Sequence, residues 1–234
     1  PPPTFTSFSP ESGASGSNVI IRGTEFSTVP ANNVVFFGAA MATVTAATDT
    51  TLTVTVPSGA NQDYISVTNT LASLTAYSAK PFKLTFPNIG GSLAYSPTTN
   101  YQTSSSPKSV LAKDLDGDGK TDLVVTNQYS NTVSIFRNIT APGQSATFSV
   151  KTDVNTGSYP YGITSGDIDG DGKPDLAIVN FNGNTLSVLR NKSVSGSISF
   201  DTQLSFPTGS APWSVAIGDL NKDGKPEIVV TNSQ

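Results

Sequence analysis

Three nine-residue windows gather most of the chain's negative charge: Asp114-Leu-Asp116-Gly-Asp118-Gly-Lys120-Thr-Asp122, Asp167-Ile-Asp169-Gly-Asp171-Gly-Lys173-Pro-Asp175 and Asp219-Leu-Asn221-Lys-Asp223-Gly-Lys225-Pro-Glu227. Of the 17 Asp and Glu residues, 11 fall inside them. A hard cation such as Ca²⁺ takes about six to eight oxygens at roughly 2.3–2.6 Å, so a short loop must turn sharply while presenting oxygens at alternating positions. The windows are built for that. Side chains at positions 1, 3 and 5 (Asp114, Asp116, Asp118; Asp167, Asp169, Asp171; Asp219, Asn221, Asp223) supply oxygens, and Gly at position 6 permits the turn. The carbonyl of Lys120, Lys173 or Lys225 fills position 7, and Asp122, Asp175 or Glu227 closes at position 9. Three Ca²⁺ are expected, one per loop.

The spacing resembles the first half of an EF-hand loop, except that the closing ligand comes at position 9 and no bidentate Glu follows at 12. Two like unit charges 4 Å apart repel by about 4 kcal/mol at an effective dielectric near 20, so an empty loop should be loose and a filled one should fasten its hairpin. Asp, Asn and Gly also populate ordinary solvated turns; three copies in register argue for metal instead. Asn221 removes one charge and Glu227 is longer than Asp, so the third loop should bind most weakly. Mg²⁺ fits less well, because it demands a rigid octahedron and keeps its waters.

Composition narrows the chemistry further. The chain has no Cys and no His, which removes thiolate chemistry, disulfides, the usual neutral-pH base and the usual zinc ligand. A glycosidase needs one carboxylic acid and one ionised partner across a cleft, and 11 of the 17 acids here are already assigned to metal. No catalytic residue is expected, and the chain is expected not to be an enzyme. Net charge is -4 and the Lys and Arg residues are dispersed, which argues against nucleic acid as a partner. No run of about 18 apolar residues is present to insert in a membrane.

The loops recur 53 and 52 residues apart, and the register extends beyond them. Seven residues before each stands a proline (Pro107, Pro160, Pro212), and twelve before that an aromatic (Tyr95, Phe148, Phe200). After each loop comes an apolar strand closed by Asn127, Asn180 or Asn232. In the first two repeats a further strand follows, Thr132–Phe136 or Thr185–Leu189. Four strands per repeat is the content of a propeller blade. Residues 93–234 resemble the FG-GAP/VCBS repeat family of integrin α-type propellers. That resemblance implies calcium in the loops and about two and a half blades, an incomplete propeller in this chain, which is expected to be part of a longer one.

Residues 1–86 follow a different pattern. Short alternating stretches such as Asn18–Arg22, Asn33–Phe37, Leu52–Val56 and Tyr64–Val67 are separated by Gly, Pro, Asn and Asp, and some seven strands of this kind predict a β-sandwich. The order Phe8-Ser-Pro10, Ser12-Gly13, Gly16, Ile21-Arg-Gly23-Thr-Glu-Phe26, Phe37-Gly38, Val54-Thr-Val-Pro57 resembles the IPT/TIG family of immunoglobulin-like domains, which implies a spacer or interaction module. A turn-rich linker is expected at Pro87–Ser92. The fold class is therefore all-β: an immunoglobulin-like β-sandwich followed by four-stranded, propeller-type blades.

The expected function is a calcium-stabilised structural or adhesion module of a larger secreted or cell-surface protein, bacterial, meeting a protein or glycan ligand. The alternative is a carbohydrate-binding accessory region of a larger secreted hydrolase. Tyr161 and Trp213, equivalent to each other and to Lys108, could stack on a sugar or simply pack. Asn138-Ile-Thr140 and Asn191-Lys-Ser193 match glycosylation sequons but also suit strand ends. Calcium removal is expected to loosen residues 107–234 and to leave 1–86 largely untouched.

Overall fold

The computed structural model describes residues 2–86, 99–141, 144–221 and 223–233. The expected linker at Pro87–Ser92 and the aromatic Tyr95 lie outside the described residues. Among the described residues nineteen strands follow in order: β1 (Thr4–Ser9), β2 (Ser12–Gly13), β3 (Asn18–Thr24), β4 (Asn33–Phe37), β5 (Ala40–Ala47), β6 (Thr51–Thr55), β7 (Ile65–Asn69), β8 (Leu74–Tyr77), β9 (Lys83–Leu84), β10 (Pro107–Lys113), β11 (Asp122–Asn127), β12 (Thr132–Phe136), β13 (Thr152–Asn155), β14 (Pro160–Gly166), β15 (Asp175–Asn180), β16 (Thr185–Leu189), β17 (Leu204–Pro207), β18 (Pro212–Gly218) and β19 (Glu227–Asn232).

The first part is an immunoglobulin-like sandwich. Its seven main strands run in the order β1-β3-β6-β5-β4-β7-β8, and β2 and β9 form a short parallel pair. One strand serves both faces: Ala40–Ala42 of β5 pair with β4, while Thr43–Ala47 pair with β6 across a register shift between Val44 and Ala46. Such a bulge bends a strand and lets the sheet fold over itself. Alternation then decides what is enclosed. In β3 every second residue is buried, placing Val19 and Ile21 inside, and Leu52 and Val54 of β6 face them. Phe37 and Phe82, both fully buried, meet edge to face with centroids 5.0 Å apart, a preferred arrangement for aromatic pairs.

Beyond it stand the blades. β10-β11-β12-β13 and β14-β15-β16-β17 are four-stranded antiparallel sheets, and β18-β19 begin a third. The first strands of successive blades are neighbours, β10 beside β14 and β14 beside β18. Between the first two blades lies an aliphatic core of Leu115, Val124, Val133, Ile135, Leu176, Ile178 and Leu189, and between the second and third one of Ala177, Val179, Leu186, Val188 and Val215. Polar contacts repeat with the blades. Asn131 and Asn184, both with left-handed backbones, accept hydrogen bonds from the N–H of Tyr159 and Ala211 at the start of the following blade.

Candidate metal centre

Each acidic loop joins the first two strands of its blade, and all three fold on the same scaffold of hydrogen bonds. The carboxylate at position 1 accepts twice from backbone further along the loop: Asp114 from Gly117 and Gly119, Asp167 from Gly170 and Gly172, Asp219 from Asp223 and Gly224. Position 3 (Asp116, Asp169, Asn221) accepts from the N–H two residues on, and position 5 (Asp118, Asp171, Asp223) from that of the lysine at position 7. These are successive Asx-type turns, the local competition with regular structure that Asp and Asn favour. Position 6 must be glycine, because Gly119, Gly172 and Gly224 sit at φ +82, +84 and +85.

Position 9 ties the loop to the rest of the blade. Asp122 accepts from the N–H of Leu115 at 2.9 Å and of Asn138 at 2.8 Å; Asp175 does the same with Ile168 and Asn191 at 3.0 and 2.8 Å. The beginning of the loop and the end of the third strand thus share one carboxylate. Glu227 reproduces half of this, accepting from Leu220 at 2.7 Å.

Oxygens from Asp114, Asp116 and Asp122 lie within 4.8 Å of one another, as do those from Asp167, Asp169 and Asp175. The first triplet is entirely buried, and in the second Asp175 is buried while Asp169 is exposed. Burial pushes the carboxyls of Asp122 and Asp175 up to about 7 and that of Asp167 to about 6, against the pull of their backbone donors, and it raises Asp114 as well. Loss of hydration disfavours the charged form, so the sites call for a counter-charge. The donor set fits a hard cation: three convergent carboxylates on a turn of fixed shape, all oxygen and no sulfur or imidazole.

Of the expected ligands, the structure brings positions 1, 3 and 9 together in the first two loops. At position 5, Asp118 pairs with Arg137 Nη2 at 2.7 Å and with Lys120 Nζ at 3.4 Å, and burial raises the Asp171 carboxyl. The third loop is more open. There Asn221 donates to Asp223 at 3.3 Å and to Glu227 at 2.9 Å, so an amide links the two acids. Lys120, Lys173 and Lys225 occupy the turn, each with its N–H on the position-5 carboxylate.

Two arginines that composition and spacing did not single out stand over the loops. Arg137 donates through Nε to Asp116 at 2.5 Å, an interaction that holds its own pKa above the ordinary value, and Arg190 pairs with Asp169. They are 53 residues apart, the same interval as their loops, and that periodicity was the available signal. The sequon asparagines prove structural: Asn191 is fully buried, donating to the carbonyls of Leu115 and Pro174, and Asn138 donates to that of Thr121. Tyr161 packs among Phe181, Trp213 and the Lys108 ammonium, and Trp213 remains about half exposed at 49%.

Family models match in the same places. An IPT/TIG domain covers residues 3–86, and FG-GAP-like repeats cover 114–178 and 167–230. No curated protein matches the chain. Among solved structures, a protein of unknown function from Bacteroides thetaiotaomicron is similar at 19% identity and TM-score 0.33, covering 80% of this chain and 46% of its own. An auxiliary nutrient binding protein from the same organism is similar at 13% identity and TM-score 0.34, with 98% and 65% covered. One from Bacteroides ovatus stands at 9% identity and TM-score 0.34, with 98% and 81% covered. The chain thus spans less than two thirds of the first two structures. With four-stranded blades, acidic loops at a fixed interval and a preceding sandwich, the chain belongs to the FG-GAP-like repeat family and carries an IPT/TIG domain ahead of its repeats.

Proposed function

We propose that this chain is a calcium-stabilised, non-catalytic structural and adhesion module of a larger secreted or cell-surface bacterial protein, with one Ca²⁺ held in each acidic loop. The observation that carries it is the convergence of Asp114, Asp116 and Asp122, and of Asp167, Asp169 and Asp175, each within 4.8 Å. The residues that would hold the cation are these six together with Asp118, Asp171, the Lys120 and Lys173 carbonyls and, in the third loop, Asp219, Asn221, Asp223, Lys225 and Glu227. A bound Ca²⁺ supplies positive charge where buried carboxylates otherwise repel. Extracellular calcium modules bind with Kd of about 10⁻⁴–10⁻³ M, matched to the millimolar calcium outside cells. The pairing of an IPT/TIG domain with FG-GAP-like repeats fits an extracellular adhesion or structural module. Among the described residues no helix is long and apolar enough to cross a membrane.

Calorimetric titration of chelator-stripped protein with CaCl₂ tests this. Three sites are expected, the third loop's the weakest; absence of binding heat at millimolar Ca²⁺, with an unchanged melting curve, overturns it. A second reading, a carbohydrate-binding accessory region, draws on the half-exposed Trp213 beside Tyr161, ring centroids 4.4 Å apart. On a glycan array it requires saccharide binding that Trp213→Ala abolishes, whereas a module that meets protein partners shows none.

A further inference from the structure

The loop end of the blades is not a free surface, because the sandwich is seated on it. Asp114 donates its N–H to the Ala39 carbonyl at 2.8 Å, and its Oδ2 accepts from Met41 N–H at 3.2 Å. The Gly119 carbonyl accepts from Gly59 N–H at 3.1 Å and from Ser58 Oγ at 3.2 Å. Lys113, next to the first loop, donates to the Gly38 carbonyl at 2.7 Å and lies 4.3 Å from the centre of the Phe36 ring. At the second loop, Asp167 Oδ2 accepts from Thr68 Oγ1 at 3.2 Å, and the Thr68 hydroxyl is shared with Thr75 at 2.8 Å. At the third, the Gly224 carbonyl accepts from Thr75 N–H at 3.0 Å.

Packing is as close as the hydrogen bonds. A Cβ added at Gly170 would stand 2.3 Å from the Ser73 carbonyl oxygen, and one at Gly172 would stand 2.5 Å from Val34 Cγ2. One face of one domain therefore touches all three loops. At two of them it bonds to the position-1 carboxylate, the same group that closes the loop on itself.

We propose that the acidic loops double as the seat of the sandwich, so that divalent-cation occupancy sets the orientation of the IPT/TIG domain relative to the blades. This rests on the reading of the loops as calcium sites. Asp114 and Asp167 have their oxygens placed by the loop turns, and those same oxygens receive Met41 and Thr68. A loop that loosens loses the seat, and a loop stiffened by a cation holds it. The coupling is reciprocal, because an effector that favours the docked state must be bound more tightly by it.

The chain has no Cys, so one residue in each part can be replaced for spin labelling without background. Ala46→Cys on β5 and Val150→Cys, which is 91% exposed, place one nitroxide on the sandwich and one on the first blade. Electron–electron resonance distances are recorded on the full chain with Ca²⁺, after EGTA and after Ca²⁺ is restored, with calorimetric Ca²⁺ titration on the same preparation. The expected result is a single narrow distribution that broadens and shifts on chelation and returns with calcium. If calorimetry shows binding while the distribution stays narrow throughout, the proposal falls and the calcium reading stands; if no Ca²⁺ binds, both fall.

Two variants probe the reverse direction. Val34→Asp opposes the second loop at Gly172, and Thr68→Val removes one hydroxyl at nearly constant volume, which covers the case in which the first variant fails to fold. Where the distance distribution broadens, Ca²⁺ affinity should fall by about fivefold or more. Unchanged affinity in a variant with separated domains overturns the proposal.

Discussion

The two halves of this molecule are β-structures of similar strand length held together in opposite ways. The sandwich encloses an apolar core in which Phe8, Phe26, Phe37 and Phe82 are buried among Val, Ile and Leu. The blades have thinner aliphatic layers, and inside them they bury Asp114, Asp116, Asp122, Thr126, Asn127, Ser134, Asp175, Asn180, Ser187 and Asn191. Apolar burial is indifferent to the ionic medium. Buried carboxylates are not, since each costs stability unless it is paired, hydrogen-bonded or neutralised. One half should therefore ignore calcium and the other should be governed by it.

The largest single effect should come from the sandwich core. Phe37→Ala removes a fully buried ring that meets Phe82 edge to face and should cost about 3–5 kcal/mol. Urea unfolding followed in Ca²⁺ and in EGTA should give the same loss for the sandwich transition. A loss that halved or doubled with calcium would break the comparison, because it would place metal sensitivity inside the apolar core.

Next in size is Asp175→Ala. It strips the acceptor from the part-buried N–H of Ile168 and the buried N–H of Asn191, and the unsatisfied donors should make it cost about 2–4 kcal/mol even without metal. The same variant should lose the calcium response of its blade, so the gap from wild type widens when Ca²⁺ is added. A gap that is equal in Ca²⁺ and EGTA would show that position 9 is only a backbone clamp.

Much of this division is legible in the amino-acid sequence. Alternation in Asn18–Thr24 and Thr51–Thr55 specifies which side chains the sandwich buries, and the 53- and 52-residue intervals place the blades and their loops. Both are local or periodic, so a linear reading finds them. The seat of the sandwich on the loops is neither. Thr68 meets Asp167 across a separation of 99 residues, and neither side chain differs in type from those of any other turn or strand. The expectation that calcium loss would leave residues 1–86 largely untouched was formed without sight of the contacts that join the halves at the acidic loops, where Met41 and Thr68 meet Asp114 and Asp167. Arg137 and Arg190 were hidden for another reason: dispersed arginines read as surface charge until the fold returns each to the loop of its own blade.

Chelation of the unaltered chain should act on the blades by about 1.4 kcal/mol for each loop held at ten times its Kd. Calorimetric scans in Ca²⁺ and EGTA would show it as a lower melting temperature for the blade transition, with the sandwich transition in place. Equal shifts in both transitions would mean that the halves melt as one unit, and the contrast would then have to be drawn between faces instead of domains.

The smallest effect lies within the blades themselves, at Asn221→Asp. In the third loop the Asn221 amide donates to both Asp223 and Glu227, acting as a neutral link between two acids where the other loops carry a carboxylate. Restoring that carboxylate removes two hydrogen bonds and adds a like charge, so without Ca²⁺ the variant should be less stable by up to about 1 kcal/mol. With Ca²⁺ the sign should reverse, because the same charge strengthens attraction to the cation, and third-loop affinity should rise severalfold in a calorimetric titration. A sign that does not reverse would mean that the third loop is held by its amide links alone, leaving two loops in which buried charge governs the blades.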